Sequence, residues 1–319
     1  MIRARQHPWV IAHRGASGYR PEHTAAAYRL AAEQGADVLE PDLLLSADGQ
    51  LVVRHDLGLA RSTDIAGRPE FAARARTDAH GVRDWWIDDF TWNQLRTLRA
   101  IQPWPMRVQD FNGQHALLLF RDLVELTREE SRRRGRTLWL YPETKHPAYF
   151  LSRGQDIAAI LARELHALEL VGAHAPVLVQ SFDWRVLPVL KQACGIATVA
   201  LLDAQSKPDL AHLAGLADGL GVAKSLLFEA RPLKARPIKA RPIKARPMKA
   251  AGEASALVTA AHAQGLFVHA WTFRSDQLPS QYQSAAEEYL RVYALGVDAV
   301  FSDFPDHAVA AREAHLQQA

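Results

Sequence analysis

The stretch that decides the fold reads VIAHRGASGYRPEHT at residues 10–24 and GADVLEPDLLLSADGQLVVRHD at residues 35–56. Its first apolar run, Val10–Ala12, is typical of a short buried strand. A helical pattern follows, with Thr24 as a candidate N-cap and Gly35 as a candidate stop. A second apolar run at residues 37–45 predicts the next strand. The order of strand, helix and strand indicates a parallel sheet.

Two acidic side chains on the second predicted strand suggest a metal site. Glu40 and Asp42 are two residues apart, and side chains at this spacing in a strand share a face. Two carboxylates side by side on a buried strand repel each other unless a cation lies between them. We therefore expect a hard divalent cation with oxygen ligands at this position.

The rest of the chain continues the alternation of strands and helices. Six further strands, each followed by a helical segment, are predicted at residues 137–143, 176–182, 197–203, 219–227, 267–273 and 298–302. With the two opening strands they make eight strand–helix units in a chain of 319 residues. This pattern predicts an α/β fold, a (β/α)8 TIM barrel, as a single domain over residues 1–319.

Residues that can carry chemistry lie at or near the carboxyl ends of the predicted strands. They are His13, Glu40, Asp42, Glu143, Lys145, Gln180, Trp271 and Asp303. In such barrels the carboxyl ends of all strands meet on one rim, where active sites lie. We therefore interpret Glu40, Asp42 and Glu143 as metal ligands, with structural ion pairs as the alternative. An all-oxygen ligand set favours Ca²⁺ or Mg²⁺ over Zn²⁺.

Residues 57–115 interrupt the alternation. The segment is polar and rich in arginine, and it contains Trp85, Trp86, Trp92 and Trp104. We interpret it as a small insertion after the second strand region, packed over one end of the barrel. Its tryptophans are expected to form a minor core of the insertion rather than a surface for stacking nucleotides.

Residues 230–249 form a basic, proline-rich repeat that is interpreted as a loop. The motif Ala-Arg-Pro-(Leu/Ile/Met)-Lys occurs four times and contributes eight positive charges, whereas the whole chain carries +3, so the remainder is near −5. Proline at every fifth position excludes a regular helix or a central strand. Three interpretations stay open: a tolerated loop expansion, a lid that attracts anionic substrates, and contact with an acidic membrane surface. Nucleic-acid binding is not expected.

The motifs described above resemble those of the glycerophosphodiester phosphodiesterase family. The matching residues are His13-Arg14-Gly15, Pro21-Glu22-His23-Thr24, Gly35-Ala36-Asp37, Glu40 with Asp42, Asp48-Gly49, His55-Asp56, Tyr141-Pro142-Glu143-Thr144-Lys145, Gln180-Ser181-Phe182-Asp183, Val268 to Thr272 and Ser302-Asp303-Phe304-Pro305. They occur in the family's order and span almost the whole chain. HRGASGYRPEHT and SDFPD are most similar to the bacterial periplasmic type. The resemblance also implies a small insertion at the position of residues 57–115.

The resemblance implies a two-histidine mechanism. His13 and His55 flank the acidic residues and are expected to act as general acid and general base, with the assignment left open. Arg14 and Lys145 are expected to bind the phosphate. The alternatives are core histidines and cations that only neutralise the acids.

Three aromatic residues are candidates for a wall against the glycerol carbons, with core packing as an equal alternative. They are Phe182, Trp271 and Phe304. His23 is expected to support the loop after His13 rather than to contact substrate. The implied ligand set is one divalent cation, Ca²⁺ or Mg²⁺, held by Glu40, Asp42 and Glu143.

The implied reaction splits a glycerophosphodiester, such as glycerophosphocholine or glycerophosphoethanolamine, into sn-glycerol 3-phosphate and an alcohol. The nucleophile is either the glycerol 2-hydroxyl, through a cyclic phosphate, or water. One alternative is a barrel phospholipase or lyase that acts on intact membrane lipids. Another is a binding protein that kept the fold and lost activity, although no expected catalytic position is substituted.

Composition limits the partners and the compartment. The chain is 48% hydrophobic and 23% charged, as is ordinary for a globular domain. No apolar run approaches the ~20 residues that span a bilayer, and no signal peptide is visible, so a cytoplasmic location is expected, or a periplasmic one if a leader is missing. The expected partner is a small glycerophosphodiester. No stable membrane anchor of the protein is expected, and its oligomeric state is not predicted. Cys194, the single cysteine, is expected to be buried in a helix.

Overall fold

The computed structural model describes residues 7–78, 81–228 and 255–318. Its strands are β1 Trp9–His13, β2 Val38–Glu40, β3 Asp42–Leu45, β4 Leu51–Val53, β5 Arg76–Thr77, β6 Arg83–Asp84, β7 Arg99–Ala100, β8 His115–Ala116, β9 Trp139–Leu140, β10 Glu143–Thr144, β11 Leu178–Ser181, β12 Ala197–Leu202, β13 Gly219–Ala223, β14 Phe267–Phe273 and β15 Ala299–Ser302. Its α-helices are α1 Ala25–Glu33, α2 Trp92–Leu95, α3 Phe120–Arg134, α4 Pro147–Ser152, α5 Ile157–Ala167, α6 Val186–Cys194, α7 Leu210–Leu216, α8 Leu257–Ala263, α9 Ala285–Tyr293 and α10 Pro305–Leu316. The basic repeat at residues 230–249 lies outside the described residues.

Eight parallel strands close into a barrel. β2 and β3 are two halves of one strand interrupted at Pro41, and β9 and β10 are two halves of another. β1 pairs in parallel with β2 on one side and with β15 on the other. From β3 the parallel pairing continues through β10, β11, β12, β13 and β14 to β15, which completes the ring. The predicted TIM barrel is therefore confirmed.

The first strand–helix turn shows why this sequence begins the barrel. The side chain of Thr24 accepts a hydrogen bond from the backbone N–H of Ala27 and caps α1, as predicted. Gly35, just after the helix, has φ +90°, a conformation that glycine adopts without steric cost. Gly15 also has a positive φ, and a Cβ there would lie 2.7 Å from the carbonyl carbon of Ala27. Glycine thus lets the turn after β1 press directly against α1.

Large apolar rings fill the barrel interior below the rim. Trp9, Ile11, Tyr141, Phe267 and Phe301 are all buried in one cluster inside the ring of strands. A Cβ on Gly219 of β13 would lie 2.1 Å from the ring of Phe267, so the glycine makes room for this ring. The filled interior leaves no space for a ligand along the centre of the barrel below its carboxyl rim. Cys194, in α6, is buried as predicted.

The described part of residues 57–115 contains two short antiparallel strand pairs, β5–β6 and β7–β8, the second ending at Ala116, together with α2 and three 3-10 helices. Their apolar side chains, including Leu59, Phe71 and Phe90, belong to the same buried cluster as α3 and β3. The segment is therefore fastened to the barrel by a shared core. Among the described residues no helix combines the length and the apolar composition needed to cross a bilayer.

Candidate active site

A cavity of about 620 Å³ lies at the carboxyl ends of the barrel strands. The predicted site residues that line it are His13, Arg14, Glu40, His55, Glu143, Lys145, Phe182 and Trp271. Residues from the amino-terminal strands and from β14 thus meet at one place, although more than 200 positions separate them in the chain. Asp42 lies buried beside this lining as part of the acidic group.

Three carboxylates form the centre of the site. Glu40, Asp42 and Glu143 each offer an oxygen, and these oxygens all lie within 4.8 Å of one another. All three side chains are buried. Oε1 of Glu40 accepts a hydrogen bond of 3.0 Å from Nε2 of Gln180. Such close packing of buried negative charges requires compensation by cations.

The carboxylates differ in how their charge is compensated. Burial and the nearby charges of Asp42 and Glu143 raise the pKa of Glu40 well above its usual value. Burial also raises the pKa of Glu143. Burial would raise the pKa of Asp42 too, but the charges of Lys145 and Arg14 hold it well below its usual value. Asp42 is therefore the carboxylate that stays ionised without a further cation.

Two cationic side chains of the protein form ion pairs with the acidic group. Nζ of Lys145 lies 2.8 Å from Oε1 of Glu143 and 3.9 Å from Oδ1 of Asp42. Nε of Arg14 lies 3.1 Å from Oδ2 of Asp42, and its Nη1 donates to Glu22 at 3.0 Å. Arg14 has φ +61°, and its backbone N–H donates to Oε2 of Glu40 at 3.0 Å. The turn after β1 thus brings both a side chain and a backbone donor to the carboxylates.

His23 supports this arrangement from behind. Its Nε2 lies 3.0 Å from Oδ2 of Asp42, and its backbone N–H donates to the carbonyl of Arg14 at 3.1 Å. Its side chain is fully buried. This geometry agrees with the expectation that His23 supports the loop after β1.

His13, at the end of β1, is held by Asp303, which follows β15. Nδ1 of His13 lies 2.7 Å from Oδ1 of Asp303. The other oxygen, Oδ2, accepts hydrogen bonds from Arg107 at 2.6 Å and from Arg274 at 3.1 Å. Burial alone would raise the pKa of Asp303, but His13 and the two arginines hold it far below its usual value. Burial and the charge of Arg14 lower the pKa of His13 to about 4.

His55 lies on the loop after β4, which pairs antiparallel with β3 outside the eight-stranded ring. Its Nδ1 lies 2.5 Å from Oδ1 of Asp56, and Arg61 donates to Oδ2 of the same carboxylate at 3.2 Å. Burial would raise the pKa of Asp56, but the hydrogen bond from His55 and the charge of Arg61 hold it well below its usual value. Each histidine is therefore paired through Nδ1 with an ionised aspartate.

The three aromatic candidates have different positions. Phe182 and Trp271 line the cavity and meet edge to face, with ring centroids 5.8 Å apart. Phe304 does not line it and packs edge to face on Tyr19 at 5.1 Å. A Cβ on Gly18 would lie 2.5 Å from the Phe304 ring, so this ring fills space under the turn after β1. Of the two alternatives left open for Phe304, its contacts favour core packing, because tight packing holds the ring away from the cavity.

Several residues of the site were missed in the sequence. Arg61 and Trp104, from residues 57–115, line the cavity, so Trp104 does not serve only as minor core. Arg107, from the same segment, reaches Asp303 across 196 positions of sequence. The position of Asp303 at a predicted strand end, in the motif Ser302-Asp303-Phe304-Pro305, is the sequence signal for its place in the site. No sequence pattern marked the arginines, because they lie in a segment without regular periodicity.

The fold and the site define a class of protein. A filled TIM barrel with acids, histidines and cations on its carboxyl rim is an enzyme scaffold arranged for an anionic substrate. Comparison with known proteins makes the class specific. Residues 13–307 match the model of the glycerophosphoryl diester phosphodiesterase family. The chain belongs to this family, which confirms the resemblance and the expectation of a phosphoric diester hydrolase.

Individual relatives are similar in sequence to this chain over nearly its whole length. A glycerophosphodiester phosphodiesterase of Arabidopsis thaliana is 29% identical and covers 93% of this chain and 84% of its own length. One from Haemophilus influenzae is 28% identical, with coverage of 94% and 88%. The solved structure of an Oleispira antarctica phosphodiesterase in complex with the product sn-glycerol-3-phosphate has a TM-score of 0.66 and 24% identity, and covers 96% of this chain and 97% of its own. At this level of identity, the similarity to the solved structure shows a shared fold.

Proposed function

We propose that this protein catalyses the metal-dependent hydrolysis of glycerophosphodiesters to sn-glycerol 3-phosphate and an alcohol. The observation that carries the proposal is the buried group of Glu40, Asp42 and Glu143 in one cavity with His13 and His55. The Oleispira antarctica relative with bound sn-glycerol-3-phosphate supports the identity of the product.

The acidic group fits a divalent cation. Oδ1 of Asp42 and Oε1 of Gln180 are buried and have no hydrogen-bond partner among the described residues. Unpartnered buried oxygens beside two further carboxylates offer the hard ligands that Ca²⁺ and Mg²⁺ take. We assign Glu40, Asp42 and Glu143 as the residues that hold the ion. When bound, the ion would neutralise phosphate oxygens and lower the pKa of the attacking hydroxyl.

His13 is assigned as the general base. Asp303 is ionised and already accepts hydrogen bonds from two arginines, so Nδ1 of His13 must donate its proton to this carboxylate. The lone pair of the neutral ring then lies on Nε2. A pKa of about 4 keeps the ring neutral at physiological pH, so Nε2 can take the proton of the nucleophile, either the glycerol 2-hydroxyl or water.

His55 is assigned as the general acid. Nδ1 of His55 is paired with the ionised Asp56, which orients the ring and leaves Nε2 to protonate the leaving alcohol. In the route through a cyclic phosphate the two histidines exchange roles when water opens the ring. Pairing of each histidine with its own aspartate holds each ring in one orientation, which supports the exchange of roles between the two steps.

Arg14 and Lys145 are assigned to the phosphate. Both line the cavity and both stand against the carboxylates, so they can bind the phosphate oxygens at the edge of the metal site. Phe182 and Trp271 offer the apolar wall for the glycerol carbons. No recognition element for a particular alcohol is assigned, so glycerophosphocholine and glycerophosphoethanolamine are both expected substrates.

The test is release of glycerol 3-phosphate from glycerophosphocholine by the purified protein, before and after chelation and after Ca²⁺ or Mg²⁺ is restored. We expect activity to disappear with chelator and to return with one ion. His13→Gln and His55→Gln should be inactive, whereas His166→Gln, at the end of α5, should retain activity. Full activity in chelator would remove the metal from the proposal. Inactivity on every glycerophosphodiester, in a folded and metal-loaded sample, would contradict the proposal and favour intact lipids as substrates.

A further inference from the structure

Arg107 makes an unusual set of contacts for a residue outside the barrel. Its Nη2 donates to Oδ2 of Asp303 at 2.6 Å, and both side chains are 2% exposed. Its Nε donates to Asp276 at 2.7 Å, and its Nη1 donates to the carbonyl of Ser17 at 3.1 Å. The hydroxyl of Ser17 in turn donates to the carbonyl of His13 at 2.9 Å. One guanidinium therefore contacts both the side-chain partner and the backbone support of His13.

A purely structural role would not need all of these contacts. Asp276, on the loop after β14, already pairs with Arg107 at 2.7 Å and 3.2 Å, and a shared apolar core also fastens residues 57–115 to the barrel. The bond to Asp303 does something different. It occupies Oδ2 and so turns Oδ1 toward Nδ1 of His13. Arg107 reaches Asp303 through Nη2 alone, and this charge-assisted hydrogen bond of 2.6 Å fixes which carboxylate oxygen is left for His13.

Arg274 shares Oδ2 of Asp303 but differs in its surroundings. Arg274 lines the cavity, and its side chain is 26% exposed, so substrate can reach it. Arg107 does not line the cavity. A change at Arg107 can therefore reach the reaction only indirectly: through Asp303, through the loop after β1, or through Trp104, a cavity residue whose ring centroid lies 5.4 Å from the guanidinium. This separation makes Arg107 the informative residue of the pair.

We propose that Arg107 is a positioning residue for His13, acting through Asp303, and that residues 57–115 thereby complete the active site. The inference rests on the proposed general-base role of His13. A base displaced by about 1 Å costs on the order of 100-fold in rate. Loss of Arg107 should therefore lower kcat and leave KM, which depends on cavity residues, nearly unchanged.

The first experiment compares Arg107→Met with Asp276→Asn in the metal-loaded protein. Both variants weaken the attachment of residues 57–115, so both should lower the thermal midpoint. Only Arg107→Met removes the bond to Asp303, so it should lower kcat by about 10- to 100-fold, whereas Asp276→Asn stays within about threefold of the parent protein. Equal losses of kcat in the two variants would show that Arg107 acts only through stability, and would overturn the proposal.

A second readout does not depend on activity. The Nδ1–H proton of His13, bonded to a carboxylate, should give a resolved imidazole resonance, identified by its absence in His13→Gln. The resonance should persist in Asp276→Asn and be lost or shifted in Arg107→Met. An unchanged resonance in Arg107→Met would overturn the proposal. If the parent protein proved inactive on glycerophosphodiesters, the proposed function would fail, but this measurement would still decide whether Arg107 orients His13.

Two further variants complete the test. In an Asp303→Asn background, Arg107→Met should change kcat by less than about threefold, because its route to His13 is already broken. Losses that multiply would contradict action through Asp303. If Arg107→Met does not fold, Arg107→Lys replaces it, since lysine keeps the charge but cannot bridge Asp303 and Asp276 as a fork. Arg107→Lys with normal kcat and an unchanged His13 resonance would also refute the proposal.

Discussion

Replacing Lys145 with methionine should separate metal binding from turnover. Lys145 is 8% exposed, and its Nζ lies 2.8 Å from Glu143 and 3.9 Å from Asp42, two of the three proposed metal ligands. The lysine and a bound dication therefore neutralise the same carboxylates. Without the lysine, we expect the ion to bind more tightly, while the phosphate loses one of its cations and turnover falls.

The size of each effect follows from the charges. Two unit charges 4 Å apart interact by about 1 kcal/mol even at the dielectric constant of water, and a dication doubles this to about 2 kcal/mol. Relief of this repulsion should tighten metal binding by about 30-fold. Breaking the buried Lys145–Glu143 pair should cost the metal-free protein about 3 kcal/mol of stability. Loss of a charged hydrogen bond to phosphate should lower kcat/KM by about 10- to 100-fold.

The assay combines titration of the ion into metal-free protein, followed calorimetrically, with thermal unfolding at fixed ion concentration. The rise of the thermal midpoint on adding metal should be larger in Lys145→Met than in the parent protein. Lys224→Met is the matched control, because Lys224 lines the same cavity but forms its 2.6 Å pair with the buried Glu288 and not with a proposed metal ligand. It should lose stability without a change in metal affinity.

The opposite result would refute this reasoning. If Lys145→Met bound the ion more weakly, the lysine would be acting to hold Glu143 in its ligand geometry rather than to compete with the ion. An equal change of metal affinity in Lys224→Met would point to a general effect of charge. In either case the electrostatic account of the acidic group would have to be abandoned.

Three further predictions concern the turn after β1, the buried acid near it and the basic repeat. Gly15→Ala should lose more stability than Gly49→Ala in thermal unfolding, by about 1–3 kcal/mol, because both have positive φ but only Gly15 would bring a Cβ within 3 Å of a helix backbone; equal losses would rule out the steric contact as the cause. Arg14 holds the pKa of the buried Glu22 at about 2 against the effect of burial, so the ionised acid should contribute about 3 kcal/mol above pH ~4.5, lost as pH falls toward 2. Glu22→Gln should therefore flatten the acid side of the stability–pH curve, and an unchanged curve would contradict the pairing. Replacing residues 230–249 with an uncharged linker removes eight positive charges and should weaken the salt dependence of kcat/KM without altering kcat at saturating substrate; an unaltered salt dependence would favour a tolerated loop expansion.

Local patterns in the sequence were sufficient for the barrel. Short apolar runs alternate with helical segments, and each run is bounded by its own caps and turns, so eight strands could be recognised without knowledge of their partners. The Glu40–Asp42 pair and the His13–Arg14 turn are also local, because neighbouring residues keep their relation whatever the rest of the chain does. Family membership and the fold therefore followed from residues that are close in sequence.

Strand boundaries and contacts of irregular segments were harder to predict from the sequence. The strand predicted at residues 219–227 ends at Ala223 and continues as a 3-10 turn, and the strand at residues 37–45 is interrupted at Pro41. For Phe304 the sequence left open a place in the cavity wall or in the core, and in the structure its ring packs against Tyr19. Periodicity cannot separate a ring that lines a cavity from a ring that packs beside it, because both are apolar and both follow a strand end.

The sequence by itself determined the order of strands, the barrel, and the acids and histidines at the rim, because each depends on residues close together in the chain. Only the tertiary structure determined which aspartate holds His13. It also brought Arg107 into contact with this aspartate. The contact between Arg107 and Asp303 joins an irregular segment to the last barrel strand. It exists because the tertiary fold brings the two segments together and a buried charge must find its partner there, and no local propensity encodes that meeting.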